Sequence, residues 1–371
     1  MRVLQEFLRE QTVLVVSAVL ALVSGFFVPP TLSYLSYVDW RVLGLLFCLM
    51  TVVAGLRTAG TFRVLTEILL RKVSSLRSIA FLLTGLSFGF SMFLTNDVTL
   101  ITLVPFTLMV FRHIAGSETV LVRTLVFETV AANLGSMLTP VGNPQNLYLY
   151  NRYDLPLSEF FCTMAPYSAV SFLLLAALTA ALVPGGKAAL ESGSTFHSFH
   201  KKTFALYAVL FALCLLSVTR ALDWRLLTAV VLTAVLIENR RLLRMVDWSL
   251  LLTFLFLFVF IGNVGSLPEV RSFLETVVRG REVETGILAS QIVSNVPAAL
   301  LLSHFTADGT KLLVGVNLGG LGTLIASMAS LITYKLYTAG NGAKKGRYFL
   351  EFTLWNVVFL AALYLLSRCL A

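Results

Sequence analysis

Long apolar segments alternate with short polar loops along most of the chain. A helix that crosses a membrane needs about 20 apolar residues. Apolar runs of full or half that length predict helices over 11–28, 41–57, 77–94, 98–111, 118–138, 159–183, 203–219, 225–238, 248–265, 285–293, 297–303, 311–322 and 348–368. Amphipathic patterns at 61–72 and 267–284 predict helices at the membrane surface. The predicted fold class is an all-α polytopic membrane protein.

Composition supports the same class. The chain has 371 residues, of which 57% are hydrophobic and 13% charged, whereas soluble domains are about 25% charged. A net charge of +9 would favour nucleic acid as the partner of a soluble protein. Here the basic residues lie in short loops, where membrane topology and anionic lipid account for them. We therefore expect a lipid bilayer as partner and no nucleic acid.

Two kinds of polar interruption occur inside these apolar segments, and each occurs twice. The sequence predicts hairpin tips at 95–97 (TND) and 294–296 (SNV), and helix breaks at 139–146 and 322–330. The strings that contain the breaks, NLGSMLTPVGNPQNL and NLGGLGTLIASMASL, match at Asn, Leu, Gly, Thr and Leu without a gap. Unwound backbone at membrane depth is tolerated only where it lines a cavity or is buried in protein. Paired interruptions predict a transporter binding site near the membrane midplane.

The order of these motifs predicts two inverted repeats, each with a re-entrant hairpin and a broken helix. Residues 1–183 form the first half, 184–202 a cytoplasmic linker and 203–371 the second half. The tripeptide VDW begins the second apolar segment at 38–40 and recurs at 246–248. If the N-terminus lies on the cytoplasmic side of the cytoplasmic (inner) membrane, most Lys and Arg residues lie in cytoplasmic loops. The C-terminus then lies outside.

The hairpin tips carry short polar side chains beside backbone that needs hydrogen-bond partners. Thr95 and Asn96, with Ser294 and Asn295, offer hydroxyl and amide oxygens suited to sodium; the alternative is that they cap the following helix. Asp97 is costly at membrane depth, and could bind a cation, carry a proton or act as a cap.

Two further groups complete the candidates. Glu128 lies mid-helix, one turn from Asn133, and is either a proton-coupling residue or a structural hydrogen-bonding group. Polar and helix-breaking residues line the two breaks: Asn133, Gly135, Thr139, Pro140, Gly142, Asn143, Pro144, Gln145, Asn146, Asn317, Gly319, Gly320, Gly322, Thr323, Ser327 and Ser330.

Enzymatic motifs are absent from the sequence. It contains no GxxxxGK[ST] nucleotide loop, no HExxH pair and no Ser-His-Asp arrangement. We expect a protein that is not an enzyme, with no catalytic residues, no bound nucleotide and no cofactor other than a coupling ion, Na⁺ or H⁺.

These motifs resemble the ion transporter superfamily of citrate-transporter-like permeases, divalent-anion:sodium symporters, arsenite efflux pumps, related sodium–proton antiporters and the melanosomal P protein. TND and SNV fall where this superfamily has SNT-type hairpin tips. TPVGNPQN resembles its first-break motif, GTPPN or GDPPN. NLGGLGTLIAS resembles the NGTLIGASAN string of the antiporter and P-protein branch. The similarity covers nearly the whole chain.

The resemblance implies an elevator-type homodimer, with a scaffold and a transport domain that carries both hairpins and both broken helices. By matching position, one sodium site would use Thr95, Asn96, Thr139 and Asn143, with Asp97 and Gly142 beside them. The other would use Ser294, Asn295, Thr323 and Ser327. A small ionic substrate would lie between the tips and contact Thr95, Asn96, Asp97, Asn146, Ser294, Asn295 and Ser330.

The chain departs from the dicarboxylate branch at one position in each tip. Asp97 and Val296 stand where that branch has threonine hydroxyls. Two like charges about 4 Å apart repel by several kcal/mol at an effective dielectric near 20, so an ionised Asp97 opposes a dicarboxylate. This favours cation–proton exchange, a neutral oxyacid such as arsenous acid, or an anion neutralised by bound cations.

The sequence thus predicts an ion-coupled secondary active transporter of a small inorganic or organic anion. The alternatives are a sodium–proton antiporter, an arsenite efflux permease or, in a different class, an ion channel.

Overall fold

The computed structural model describes residues 11–32, 34–112, 117–186, 199–340 and 342–370. Within these ranges the chain forms 18 α-helices and one 3₁₀-helix, and no strand. Most of the predicted linker, 187–198, lies outside the described residues. Its last two residues, Lys201 and Lys202, belong to the next helix. The predicted all-α polytopic class is confirmed.

The N-terminal half contains nine helices among its described residues. They are α1 (Thr12–Phe27), α2 (Tyr34–Tyr37), α3 (Trp40–Thr58), α4 (Thr61–Leu70), α5 (Leu76–Ser91), α6 (Asn96–Arg112), α7 (Glu118–Ser136), α8 (Pro144–Arg152) and α9 (Leu157–Leu182).

The C-terminal half adds the rest. They are α10 (Lys201–Val218), α11 (Trp224–Glu238), a 3₁₀-helix (Arg240–Arg244), α12 (Trp248–Gly265), α13 (Pro268–Val278), α14 (Glu282–Val293), α15 (Asn295–Leu302), α16 (Gly309–Leu318), α17 (Met328–Thr338) and α18 (Lys345–Leu370). Five helices, α3, α9, α10, α12 and α18, are long and apolar enough to cross a membrane.

The unwound segments lie slightly before their predicted positions. The first break spans 137–143 and the second 319–327, because α8 begins at Pro144 and α17 at Met328. A proline is well suited to the first turn of a helix, where its missing N–H has no partner to lose. Asn96 and Asn295 likewise begin helices α6 and α15. The unwound part of each hairpin therefore ends at Thr95 and at Ser294.

The two VDW tripeptides adopt the same local structure. Asp39 and Asp247 each accept a hydrogen bond at Oδ1 from the backbone N–H three residues later, at 3.0 and 2.9 Å. Trp40 and Trp248 each donate their indole N–H to the carbonyl five residues earlier, at 3.2 and 2.8 Å. Each aspartate caps its helix, since its carboxylate satisfies an N–H that the helix leaves free.

Each hairpin packs its first arm closely against the helix before the break. A Cβ atom at Gly135 of α7 would lie 2.2 Å from the carbonyl oxygen of Phe88 in α5. One at Gly319, after α16, would lie 2.5 Å from Oγ of Ser290 in α14. Glycine therefore permits the same close helix contact in both halves.

The second arm of each hairpin packs against the helix that follows the break of the other half. Arm α6 packs against α17, and arm α15 packs against α8. Helix α7 lies at the centre of this assembly, in contact with α5, α6, α9, α17 and α18, and its residues from Val120 to Ser136 are almost entirely buried. The outer helices α1, α3, α10, α11 and α12 pack mainly against one another.

Asp308 begins helix α16, in the loop that follows the second hairpin. Its Oδ1 accepts from the Lys311 backbone N–H at 3.0 Å, and its Oδ2 lies 3.1 Å from Lys311 Nζ. Partial burial opposes ionisation of Asp308, but the hydrogen bonds from Lys311 and Thr310 outweigh it and lower the pKa of Asp308. Asp308 is therefore an N-cap that depends on its charge.

Candidate functional site

Asn133, in the last turns of α7, connects the first hairpin tip to the second helix break. Its Oδ1 accepts hydrogen bonds from Asn96 Nδ2 and from Ser327 Oγ, both at 2.9 Å. Its Nδ2 donates to Ser330 Oγ at 3.5 Å. Asn133, Ser327 and Ser330 are all nearly or fully buried. One amide thus joins three elements from two halves of the chain.

The second half makes a matching bond in return. Asn317 Nδ2 donates to Asn146 Oδ1 at 2.7 Å. In the ungapped match of the two break strings, Asn317 corresponds to Asn133 and Asn146 to Ser330. The pairs Asn133–Ser330 and Asn317–Asn146 are therefore the same contact made twice with the halves exchanged. We call the six residues Asn96, Asn133, Asn146, Asn317, Ser327 and Ser330 the central network.

The side chains of the first break satisfy its own backbone. Asn146 Nδ2 lies within hydrogen-bond distance of the carbonyl oxygens of Ser136, Met137 and Thr139, at 3.2, 3.4 and 3.1 Å. These carbonyls have lost helical partners because α7 ends at Ser136. Asn143 Nδ2 donates to Ser136 Oγ at 2.7 Å. Ser136 is a site residue that the sequence analysis missed.

Gln291 plays the corresponding part at the second break and was also missed. Its Nε2 donates to the carbonyl oxygens of Gly319 and Leu321, both at 2.9 Å, and its Oε1 accepts from Thr323 N–H at 2.9 Å. The sequence feature that could have identified Gln291 is its position, as a single amide side chain in an apolar hairpin arm three residues before Ser294.

The first predicted cation set is drawn together, but indirectly. The Thr139 hydroxyl donates to the Met92 carbonyl in the hairpin turn. Asn143 reaches Asn133 through Ser136, whose Oγ donates to the Asn133 carbonyl at 2.9 Å, and Asn133 holds Asn96. The tip residues also act as caps, since Thr95 Oγ1 accepts from Val98 N–H at 3.4 Å.

The second predicted set is divided. Asn295 N–H and Ser294 Oγ both donate to the Ala326 carbonyl, at 3.0 and 3.3 Å. Ser327 instead contacts Asn133 of the first half, and Thr323 is exposed. The left-handed backbone of Ser294, with φ of 73°, makes the sharp turn between the two arms. This tip packs against its own break, while Ser327 joins the central network.

Several buried oxygens around the network have no hydrogen-bond partner among the described residues. They are Asp97 Oδ1, Asn143 Oδ1 and Asn317 Oδ1, and both polar atoms of the Gln145 side chain are in the same state. Buried polar atoms in native proteins are almost always paired. Carboxylate and amide oxygens are hard donors, so this set fits an alkali cation or the hydroxyl groups of a substrate.

Positive side chains do not take part in the site. None of the hydrogen bonds or ion pairs between described residues joins a Lys or Arg to the central network or to Asp97. Of the basic residues near α7, Arg123 is bound to Glu351 at 2.8 Å and to the Leu182 carbonyl at 2.7 Å. The site thus presents oxygens and amides, with Asp97 as its acidic member.

Glu128 lies apart from the network, five residues before Asn133 on α7. It is fully buried, and its Oε1 accepts from Thr107 Oγ1 of α6 at 2.6 Å. The structural interpretation of Glu128 predicted such a bond, and the bond leaves the proton-coupling interpretation open.

A buried polar network where broken helices meet, inside a bundle of apolar helices, is the arrangement of a membrane transporter. Comparison with known proteins agrees. Residues 3–311 match the family model described as Citrate transporter, so the chain belongs to the citrate transporter family within the ion transporter superfamily. The family and its relatives are transporters rather than enzymes.

The curated relatives are transporters and membrane proteins. The chain is 34% identical to an uncharacterized transporter of Methanocaldococcus jannaschii, over 84% of this chain and 85% of the relative. It is 31% identical to an inner membrane protein of Escherichia coli, over 91% of this chain and 89% of the relative. A silicon efflux transporter of Oryza sativa is 29% identical over 35% of this chain and 26% of its own length. The chain is thus an integral membrane transporter.

Proposed function

We propose that this protein is a secondary active transporter that moves a small inorganic or organic anion across the membrane, coupled to Na⁺ or H⁺. The observation that carries the proposal is the charge of the site. Among the described residues, buried oxygens without partners surround the central network, and no basic side chain is bonded to it. An anion placed there needs a positive charge from elsewhere, and a co-bound cation supplies it.

The cation site belongs at the first tip. Asn143 Oδ1 and Asp97 Oδ1 are buried without partners, and the bonds through Ser136 and Asn133 connect Asn143 to Asn96. Thr95, Asn96, Thr139 and Asn143, with Gly142 beside them, are the proposed Na⁺ ligands, and Asp97 balances the charge. The second site is weaker because two of its residues lie away from the others. Ser327 bonds to Asn133 and Thr323 is exposed, which leaves Ser294 and Asn295.

The substrate position follows from the same contacts. The two tips are connected indirectly: Asn96 of the first tip bonds to Asn133, Asn133 bonds to Ser327, and the neighbouring Ala326 carbonyl accepts from Asn295 of the second tip. Asn146 and Ser330 are bonded to Asn317 and Asn133. We assign the tip residues to direct contact with substrate, and Asn146 and Ser330 to holding the two breaks together around it.

Movement of the site as one body fits the packing. Reciprocal hydrogen bonds join the hairpins and the broken helices. The outer helices pack mainly against one another: α1, α3, α10, α11 and α12. We propose that the first group moves against the second, as in an elevator, within a homodimer in the cytoplasmic membrane. The Escherichia coli relative, called an inner membrane protein, supports that location.

The test is Asp97→Asn in proteoliposomes. The substitution keeps the side-chain shape and removes the charge, so concentrative uptake should lose its dependence on the sodium or pH gradient while substrate counterflow persists. Glu269→Gln, the same chemical change at an exposed position of α13, is the control and should behave as wild type. Unchanged coupling in Asp97→Asn would contradict the assignment, and an ohmic current without saturation would indicate a channel.

A second candidate function is efflux of a neutral oxyacid. Asp97 repels a dicarboxylate but can accept hydrogen bonds from uncharged O–H groups, and one partial relative is named for silicon efflux. Vesicles loaded with arsenous or silicic acid should then release it only when wild-type protein is present. Sodium-driven proton release without any anion would instead favour the sodium–proton antiporter.

A further inference from the structure

The carboxyl group of Glu128 is buried in the centre of α7 with one oxygen unused. Its Oε1 accepts from Thr107, but its Oε2 has no hydrogen-bond partner among the described residues. The residue has no exposed surface. The cation and substrate positions proposed above do not use this group.

The surroundings of Glu128 supply no counter-ion. Helix α5 contributes Ser87, whose Oγ donates to the Glu128 backbone carbonyl at 2.8 Å, and α6 contributes Thr107. Among the described side chains, the titratable and charged groups on the elements packed around α7 are Arg77 on α5, Asp97 on α6, Glu159, Cys162 and Tyr167 on α9, Lys311 on α16, Tyr334, Lys335 and Tyr337 on α17, Lys345, Arg347, Tyr348, Glu351, Tyr364, Arg368 and Cys369 on α18, and Glu118 and Arg123 on α7 itself. No hydrogen bond or ion pair between described residues joins any of them to the Glu128 carboxyl group. The guanidinium of Arg123 is bonded to Glu351, and Lys335 is exposed. An ionised Glu128 would be an uncompensated buried charge, which is strongly unfavourable.

Tyr348 lies on α18, a helix that packs against α7. It is fully buried, and its hydroxyl has no hydrogen-bond partner among the described residues. The Tyr348 ring stacks on that of Tyr337, with the centroids 5.3 Å apart, and Tyr337 Oη donates to Glu118 Oε1 at 2.5 Å. These aromatic residues therefore add no positive charge near Glu128.

We propose that Glu128 is an internal proton site, whose Oε2 takes up and releases one proton during transport. On loading, the proton forms an O–H bond at Oε2 and the carboxylate becomes neutral; on release, that bond breaks and the proton passes to water. The inference rests on the proposed transport function and names the proton as one of its coupling ions.

The site fits a proton, which needs only one free oxygen, and Glu128 Oε2 supplies it. Thr107 donates to Glu128, and Thr129 bonds the Leu125 carbonyl and Thr333. Thr124 Oγ1, one turn before Glu128 on α7, has no hydrogen-bond partner among the described residues.

Proton binding at Glu128 also acts on the first hairpin. Thr107 lies on α6, the second arm, and its bond to Glu128 Oε1 ties that arm to α7. A hydrogen bond to an ionised carboxylate is roughly twice as strong as one to a neutral group. Loss of the proton therefore tightens the arm and gain of the proton loosens it, which links protonation to hairpin position.

Infrared spectroscopy of the purified protein tests the protonation state without any transport measurement. The difference spectrum between wild type and Glu128→Gln at neutral pH should contain the carbonyl stretch of a protonated carboxylic acid. Thr107→Val should shift that band, since it removes the hydrogen bond to Oε1. Glu269→Gln, at an exposed site, should give carboxylate bands only. Carboxylate bands in the Glu128→Gln difference would overturn the proposal.

Transport measurements test the coupling. In Glu128→Gln, uptake driven by a pH gradient should fall by about tenfold or more, as when a proton-transfer group is removed, while substrate counterflow should persist. Wild-type pH-driven uptake in Glu128→Gln would refute the proton site. Absence of counterflow in the wild-type protein would refute the transport function instead, and the infrared result would stand apart from it.

Discussion

At the scale of single residues, the sequence predicted which residue types would form the site but not how they pair. Asn, Thr and Ser at unwound backbone are recognisable because freed N–H and C=O groups need short polar partners. Pairing depends on how the helices cross, which one sequence does not contain. Ser327 was therefore grouped with Thr323, whereas it bonds to Asn133. Gln291 was overlooked because one amide in an apolar arm resembles a surface residue.

The two tip asparagines should be indispensable for transport. Asn96→Ala removes a donor to the Asn133 oxygen, and Asn295→Ala removes the amide that lies beside Gly320. An unsatisfied buried group costs about 1–3 kcal/mol, so we expect flux to fall by about tenfold or more in each variant. Radiolabelled uptake and size-exclusion profiles measure flux and folding separately.

Asn151→Ala is the matched control for the tip variants. Among the described residues its amide donates only to the Leu147 carbonyl, one turn earlier in the same helix, and its Oδ1 has no partner. It joins no other element by a hydrogen bond, so its flux should match wild type. Near-normal flux in both tip variants would reduce the central network to a packing feature.

At the scale of elements, helix positions were predictable to within a few residues. Apolar length and polar loops set them, and the VDW match, three residues long, proved to mark the same capped turn twice. The break boundaries were displaced because Pro144 starts a helix rather than interrupting one. Close helix approach at Gly135 and Gly319 could not be read from the sequence, since glycines also occur where nothing approaches them.

Glycines of the first hairpin and α7 should respond oppositely to alanine. Gly135→Ala places a Cβ atom 2.2 Å from the Phe88 carbonyl oxygen, and such overpacking costs about 1–3 kcal/mol. Gly89→Ala in α5 meets no atom within 4 Å and should be stabilising by about 1 kcal/mol, because alanine favours the helix. Thermal unfolding in detergent, followed by tryptophan fluorescence, should lower the Tm for the first variant only. A fall of similar size in both would contradict the close contact.

The cap at α16 should be sensitive to acid. Hydrogen bonds lower the pKa of Asp308 in the folded protein. The charge of Asp308 therefore stabilises the folded protein above the pKa of the unfolded state, about 4. This stabilisation is lost as the pH falls through the pKa of the folded state. Asp308→Asn keeps the cap and removes the charge. Its Tm deficit relative to wild type should be present at pH 7 and shrink below about pH 4. A deficit that stays constant with pH would show that the charge contributes nothing.

At the scale of the whole molecule, the paired sequence motifs predicted the family and the fold class. The symmetry between the two halves is seen in the hydrogen bonds that join them. The bonds Asn133–Ser330 and Asn317–Asn146 exchange corresponding residues, as two halves related by a two-fold axis would. The sequence predicts in addition that the halves have opposite orientations in the membrane. That prediction depends on the number of times each half crosses the membrane.

Cysteine labelling measures orientation. Thr31→Cys and Gly346→Cys, both at exposed positions, should react with a membrane-impermeant maleimide from opposite sides of the membrane. The exposed native thiols, Cys162 and Cys369, are first replaced by serine, and that background protein is the control. Labelling of both positions from one side would end the inverted-repeat interpretation.

The exchanged bonds of the central network have a consequence for biosynthesis. Asn133 and Asn146 enter the membrane early, yet their partners Ser330 and Asn317 are translated 197 and 171 residues later. Until α16 and α17 are inserted, Asn133 Nδ2 lacks its acceptor Ser330, and Asn146 Oδ1 lacks its donor Asn317. It must wait as an incomplete bundle, exposed to quality-control proteases and membrane chaperones. Each half therefore depends on the other for its buried hydrogen bonds. Either half produced alone should be degraded unless the other half is supplied in the same cell.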